Sequence, residues 1–101
     1  MTVSPLSRAM TEDQLLDAIR SYARLMGWLT YHVHDSRRSE PGFPDLVCIR
    51  GNTAWALELK TEKGRITEDQ ELWISAINQV ENIQAMVIRP SQLDEIIRLM
   101  R

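Results

Sequence analysis

The sequence predicts an α/β fold in which a mixed central sheet is flanked by helices, in the order αβββαβα. Three observations carry this expectation. Two stretches with apolar residues at helical spacing each follow a Thr-x-x-Gln tetrad, two short apolar runs meet at Gly51-Asn52, and a third apolar run stops at Pro90 before another helical stretch. With 101 residues, the chain can support one hydrophobic core and is too short for two.

Residues 1–10 show no periodicity and are expected to be a loosely ordered lead-in to a single domain over 11–101. Thr11 and Gln14 have the capping-box pattern, and Leu15, Ile19, Tyr22 and Met26 then recur at helical spacing up to Gly27. The first helix therefore covers 12–26. From Trp28 to His34 the residues Leu29, Tyr31 and Val33 alternate with Thr30, His32 and His34, the period-two pattern of a half-buried strand. Asp35 to Phe43 breaks that pattern with Arg37, Arg38, Pro41 and Gly42 and reads as a charged loop. After Pro44, the runs 45–50 and 53–60 flank Gly51-Asn52, which suits a two-residue hairpin turn. A polar connection over 61–66 leads to a second Thr-x-x-Gln, Thr67 and Gln70. The helix after it carries Leu72, Trp73, Ala76, Ile77 and Val80 as a stripe expected to face the sheet. Residues 85–89 read as a short buried strand, and Ser91 with Asp94 opens a last helix bearing Leu93, Ile96, Ile97 and Met100.

Composition excludes several classes. A hydrophobic share of 44% and a charged share of 26% are those of an ordinary globular domain, and no apolar run is long enough to span a membrane. The first ten residues lack the apolar segment of a secretory signal, so a cytoplasmic location is expected. Cys48 is the only cysteine, which leaves no internal disulfide and no cysteine-based zinc site. Twelve basic against 14 acidic residues give a net charge of −2, which argues against binding nucleic acid through bulk positive charge. A local basic rim around an acidic centre is compatible with that balance.

The hairpin brings chemistry together. If Arg50 pairs with Thr53, the register carries on to place Asp45 across from Glu58, with Lys60 on the same face. Two carboxylates ~5 Å apart at an effective dielectric of ~20 repel by roughly 3 kcal/mol, a large cost for a small domain. Lys60, a shared proton or a divalent cation can offset it. Oxygen ligands without a thiol point to Mg²⁺ or Mn²⁺, and the backbone carbonyl of Leu59 is a further candidate ligand. The bland alternative is a pair of solvated carboxylates on an exposed hairpin. Val47, Ile49, Ala54 and Ala56 share that face and should be covered by a helix, which puts the charges at the edge of a buried surface, where sites concentrate.

Gly42-Phe43-Pro44-Asp45-Leu46-Val47, Glu58-Leu59-Lys60, Lys63-Gly64-Arg65, and Gln70 with Trp73 together resemble the virus-type replication-repair nuclease (VRR-NUC) domain, a branch of the PD-(D/E)xK superfamily. The resemblance runs from about Glu12 to Ile88, and the four motifs in register are far more specific than a lone PD and ExK. It implies a restriction-endonuclease-like core. It further implies that Glu12, Asp45 and Glu58 ligate metal, that Lys60 is the motif lysine, and that Gln70 stands near the mouth of the site; Asp13 and Asp17 are alternatives for Glu12. The implied activity is metal-dependent hydrolysis of DNA phosphodiesters. The implied setting is a homodimer resolving branched DNA such as four-way junctions, in phage or prophage replication and repair within a bacterial cell. The apolar last helix is expected to supply surface for a twin subunit, the alternative being that it only caps the chain's own sheet. A binding module that has lost catalysis and a restriction-type enzyme are the competing readings; the intact Asp45, Glu58 and Lys60 set speaks against the first, and the short chain against the second.

Other residues fall around this centre. Arg37 and Arg38 precede the site, Lys63 and Arg65 follow it, and all four are candidate phosphate contacts. His32 and His34 lack an evident third ligand and are read as structural. Trp28, Trp55 and Trp73 are expected to pack, and Cys48 to be a small buried hydrophobe.

Overall fold

Both Thr-x-x-Gln tetrads fold as capping boxes, and they fix where two of the helices begin. The Thr11 hydroxyl accepts from the Gln14 amide at 3.1 Å while the Gln14 side chain accepts from the Thr11 amide at 2.9 Å. Helix α1 (Glu12–Leu25) follows and buries Leu15, Ile19 and Ala23. The computed structural model describes residues 9–33 and 38–101; the expectations for His34 and Arg37 lie outside these residues. Strands β1 (Leu29–His32), β2 (Leu46–Arg50) and β3 (Thr53–Leu59) form an antiparallel meander. Helix α2 (Glu68–Ile77) then crosses over to β4 (Ile83–Ile88), which pairs parallel with β3, and α3 (Leu93–Met100) follows a short 3₁₀ turn at Pro90–Gln92. The spatial order is β1-β2-β3-β4, a mixed four-stranded sheet in the order αβββαβα. The hairpin register runs from Arg50 with Thr53 to Leu46 with Leu57, as the Gly51-Asn52 turn requires.

One face of the sheet holds the core. Leu46, Cys48, Leu57, Leu59 and Ile88 pack there against Leu15, Ile19 and Ala23 of α1 and Ile96 and Met100 of α3. The end of α3 is tied down: the Met100 carbonyl accepts from the Trp28 indole at 3.0 Å and from the Arg50 guanidinium at 2.8 Å. Arg50 also stacks over Trp28, 4.4 Å from its ring centroid, and Trp28 packs on Trp55 at 4.7 Å. Burial pushes the Cys48 thiol up to about 11, as suits an inert core residue.

Among the described residues the other face carries α2 alone, and here three expectations need correction. The alternating pattern of the first strand is real but inverted: Leu29 and Tyr31 point to solvent, 76% and 65% exposed. The cross-strand partner of Leu29, Ile49, is 44% exposed, so among the described residues no helix covers this end of the Val47, Ile49, Ala54 and Ala56 face. On α2 the half-buried residues are Gln70, Trp73, Ile74 and Ile77, whereas Leu72 is 67% exposed, and Val80, beyond the helix end, is 60% exposed. The crossover sets α2 over β4, where Asn78 bonds both the N–H (2.7 Å) and the carbonyl (3.2 Å) of Ala85, and Gln70 reaches Glu58 on β3. The last helix differs too. Ser91 does not cap it, its amide going instead to the Glu62 carboxylate at 3.1 Å, and Ile96 and Met100 are spent on the chain's own core rather than left for a twin. Among the described residues, no helix is long and apolar enough to cross a membrane.

Candidate active site

The Gly42-Phe43-Pro44-Asp45 segment owes its shape to α2. Gly42 has φ +88°, and a β-carbon there would sit 2.7 Å from the Asp69 β-carbon and closer still to its backbone carbonyl. Only glycine lets the loop lie against the first turn of the helix. Trp73 grips the same loop, its indole N–H donating to the Pro41 carbonyl at 3.1 Å and its ring meeting Phe43 edge-on at 5.1 Å. Trp73 is thus a packing residue, as expected.

Pro44 then ends the β2–β3 ladder. Continuing the register sets Pro44 opposite Leu59, and proline has no N–H to give. The chain bends at Asp45, whose Oδ2 accepts from the Leu59 amide at 2.8 Å. Asp45 therefore meets Glu58 by folding over the end of the ladder rather than as a regular cross-strand pair. The Leu59 carbonyl, on the same side of the strand as its amide, has only the proline opposite it.

Among the described residues Glu58 is the single buried charged side chain, 2% exposed. Its Oε1 accepts from the Gln70 side chain at 3.2 Å, while Oε2 is buried without a hydrogen-bond partner. Burial, then the hydrogen bond and charge of Asp45, push the Glu58 carboxyl up to about 9; Lys60 opposes the shift and Glu12 adds to it. Both neighbours are acceptors when ionised, so the pair shares a bond only when one holds a proton.

The remaining residues surround this pair. Asp45 separates two clefts: one of about 230 Å³ holds Glu12, Asp13, Leu16, Val33 and Leu59, and one of about 190 Å³ holds Glu40, Phe43, Glu58 and Gln70 among its walls. Glu12, the first residue of α1, thus stands across the first cleft from Asp45, with Asp13 beside it; Asp17 is not in that lining. Among the described residues, no group of three or more metal-ligating side chains is already gathered. Lys60 follows β3, its amide donating to the Ile88 carbonyl at 3.1 Å. Arg38, Lys63 and Arg65 are exposed in the two flanking loops. Glu40 was not foreseen; it belongs to no motif, and only the fold of the loop sets it beside the cleft.

The orphaned Oε2 fits a cation. A buried carboxylate oxygen with no donor is costly, and Glu58, Asp45 and the Leu59 carbonyl make a hard-oxygen donor set that would suit Mg²⁺ or Mn²⁺. Without metal, Glu58→Gln is expected to raise the melting temperature, because the new amide donates to Asp45 and no longer ionises. The sign with pH follows from the raised value. Relative to an unfolded carboxyl near 4.5, the folded Glu58 keeps its proton up to about 9. Its contribution is therefore fully present below about pH 4.5 and is lost as pH rises through 9. Melts from pH 5 to 9 should fall in the metal-free wild type and fall less in the variant, and Mn²⁺ should bind the wild type more tightly at pH 8 than at pH 6. A variant with the same pH slope as wild type would contradict this account.

Comparison with known proteins agrees with this architecture. The model of the VRR-NUC domain family matches residues 4–92. A solved structure described as a VRR_NUC domain is 23% identical with a TM-score of 0.66, covering 88% of this chain and 97% of its own. A second, a VRR_NUC domain protein, is 19% identical with a TM-score of 0.68, covering 90% and 85%. No curated protein matches significantly. The family match spans residues 4–92, almost the whole chain, and the chain therefore belongs to the VRR-NUC domain family, a nuclease-type fold.

Proposed function

We propose that this chain is a metal-dependent endodeoxyribonuclease that cuts branched DNA, with four-way junctions preferred, as a homodimer. The observation that carries the hydrolytic reading is the buried Glu58 Oε2 beside Asp45: with both carboxyls ionised it has no donor, and a cation would offset that cost where a shared proton otherwise does. Asp45, Glu58 and the Leu59 carbonyl would hold the ion, with Glu12 at the rim. When bound, Mg²⁺ or Mn²⁺ supplies Lewis acidity toward a phosphate and a water of lowered pKa. Gln70 holds Glu58 in place through its amide. Lys60 sets a positive charge where the phosphate gathers negative charge. Arg38, Lys63 and Arg65, and Arg37 from the sequence, would grip the flanking phosphates and offset the net acidity of the chain.

The dimer reading rests on a different surface from the last helix. Leu29, Tyr31 and Ile49 form an uncovered apolar patch on the outer sheet face, the kind of surface that proteins cover with a partner. A two-fold dimer would present two sites related by symmetry, matching a junction whose arms share an approximate two-fold axis. Labelled duplex, flap and four-way-junction DNA, each with Mg²⁺, Mn²⁺ or EDTA, tests the activity, and light scattering the assembly. Symmetric nicks in the junction, lost in EDTA, are expected from a species of twice the monomer mass. Binding without cutting would favour a module that has lost catalysis; a monomer cutting linear duplex equally well would remove the junction and dimer proposals alone.

A further inference from the structure

Beyond the last pair of the parallel β3–β4 ladder, Leu59 with Ile88, the two chains stay locked by side chains rather than by sheet pairing. Arg89 reaches back with Nη1 to the carbonyls of Thr61 at 2.8 Å and Glu62 at 3.2 Å. Glu62 reaches forward, its Oε2 accepting from the Ser91 amide at 3.1 Å. Each strand exit thus holds the backbone of the other. The Thr61 carbonyl has a second donor, the Gly64 amide at 3.2 Å, which closes the turn that carries Lys63. Gly64 itself lies against Lys60: a β-carbon there would be 3.4 Å from the lysine Cδ and 3.0 Å from the Thr61 hydroxyl. The Arg89 side chain is partly buried, and its Nη1 serves both carbonyls inside the molecule.

We propose that Arg89 and Glu62 form a reciprocal clamp that fixes the Thr61–Gly64 turn and so presents Lys63 and Arg65 to the DNA backbone, which makes both of them positioning residues for substrate binding. The proposal rests on the DNA-nuclease reading and adds to it two residues, one of them acidic, outside every motif of the sequence. A basic turn on a free loop would lose ordering entropy on each encounter with a phosphate; a turn held from behind does not. The clamp acts on binding and leaves the Asp45–Glu58 pair untouched, so it should appear in affinity rather than in the rate of the bound complex.

Charge alone and the clamp make opposite predictions for Glu62. Removing an acidic side chain next to a DNA-binding turn should tighten binding by electrostatics. The clamp predicts that Glu62→Ala weakens binding of a labelled junction about fivefold, that Glu62→Gln, which keeps an acceptor for Ser91, restores it, and that Arg89→Ala weakens it about tenfold. In a Lys63→Ala, Arg65→Ala background each of these losses should shrink below about twofold, because nothing is left to present. Single-turnover rates at saturating enzyme should stay within about twofold of wild type. Amide exchange at Gly64 should quicken in Arg89→Ala whether or not DNA is present. Tighter binding by Glu62→Ala, full effects persisting in the double-alanine background, or unchanged Gly64 exchange would each overturn the clamp. If Arg89→Ala does not fold, Arg89→Lys, which keeps the charge and loses the fork, takes its place with a smaller loss in the same direction. A wild type that neither binds nor cuts DNA while Gly64 exchange responds to Arg89 would instead remove the nuclease reading and the role of the clamp in it.

Discussion

Asp45→Ala, Glu58→Ala and Lys60→Ala should each lower junction cleavage by about 10²–10³-fold or more, the scale found when a preorganised charge-stabilising group is removed from a hydrolytic site. The three losses should differ in kind. Asp45 and Glu58 are the proposed ligands, so their alanine variants should lose the Mn²⁺-induced rise in melting temperature along with activity. Lys60 is not a ligand, and its variant should keep that rise while cutting no DNA. Stability in the absence of metal separates them again. Asp45→Ala forfeits the 2.8 Å bond to the Leu59 amide and should melt lower, by the ~1–2 kcal/mol typical of an abandoned donor. Lys60→Ala should be nearly neutral. Gln70→Ala should sit between wild type and these variants, about 10–100-fold down, as expected for a group that orients a ligand. Normal cleavage by any folded alanine variant would strike that residue from the site.

Gly42→Ala should be the most damaging substitution away from the charged residues. Two penalties coincide: a positive φ of 88°, and a β-carbon driven into the Asp69 backbone. The first costs about 1 kcal/mol. The second forces the loop off α2, which also breaks the Trp73–Pro41 bond and the Phe43–Trp73 contact, so a total of about 3 kcal/mol or more is expected. In a domain of this size that is a drop of more than ~10 °C in melting temperature. Gly51 supplies the control: it too has positive φ, 62°, but a β-carbon there meets nothing within 4 Å. Gly51→Ala should therefore lose only the conformational part, and keep its cleavage, whereas Gly42→Ala should lose cleavage because Asp45 hangs from the displaced loop. Equal melting temperatures for the two variants would show that close packing on α2 is not what the glycine serves.

The sequence was most informative where structure is local. A capping box needs four residues and a hairpin register needs its turn, so α1, α2 and the β2–β3 pairing were all legible. Periodicity, by contrast, tells which residues share a face and not which face is covered. Leu29 and Tyr31 alternate as a half-buried strand should, yet the crossover helix lies over β4, leaving them to solvent. The same blindness affected α2, whose apolar stripe includes the outward Leu72. At the site, the meeting of Asp45 with Glu58 is legible from register, whereas the bend after Pro44 and the burial of Glu58 depend on tertiary packing that register does not carry. Arg89 and Glu62 were invisible because their partners are backbone atoms 27 to 29 residues distant, a relation that carries no sequence pattern.

Gln70 has two obligations. Its Oε1 completes the capping box by accepting from the Thr67 amide at 2.9 Å, and its Nε2 donates to Glu58 at 3.2 Å. One rigid amide plane therefore spans the start of a helix and the innermost carboxylate, so neither end can shift without the other registering it. Whatever changes the protonation or position of Glu58 is transmitted to the first turn of α2, and with it to the loop that Gly42 seats there. The helix start is in effect a built-in gauge of the site: the Thr67 amide resonance in a nuclear magnetic resonance spectrum should move with pH and with added Mn²⁺, reporting the state of a buried group from a position that solvent can reach.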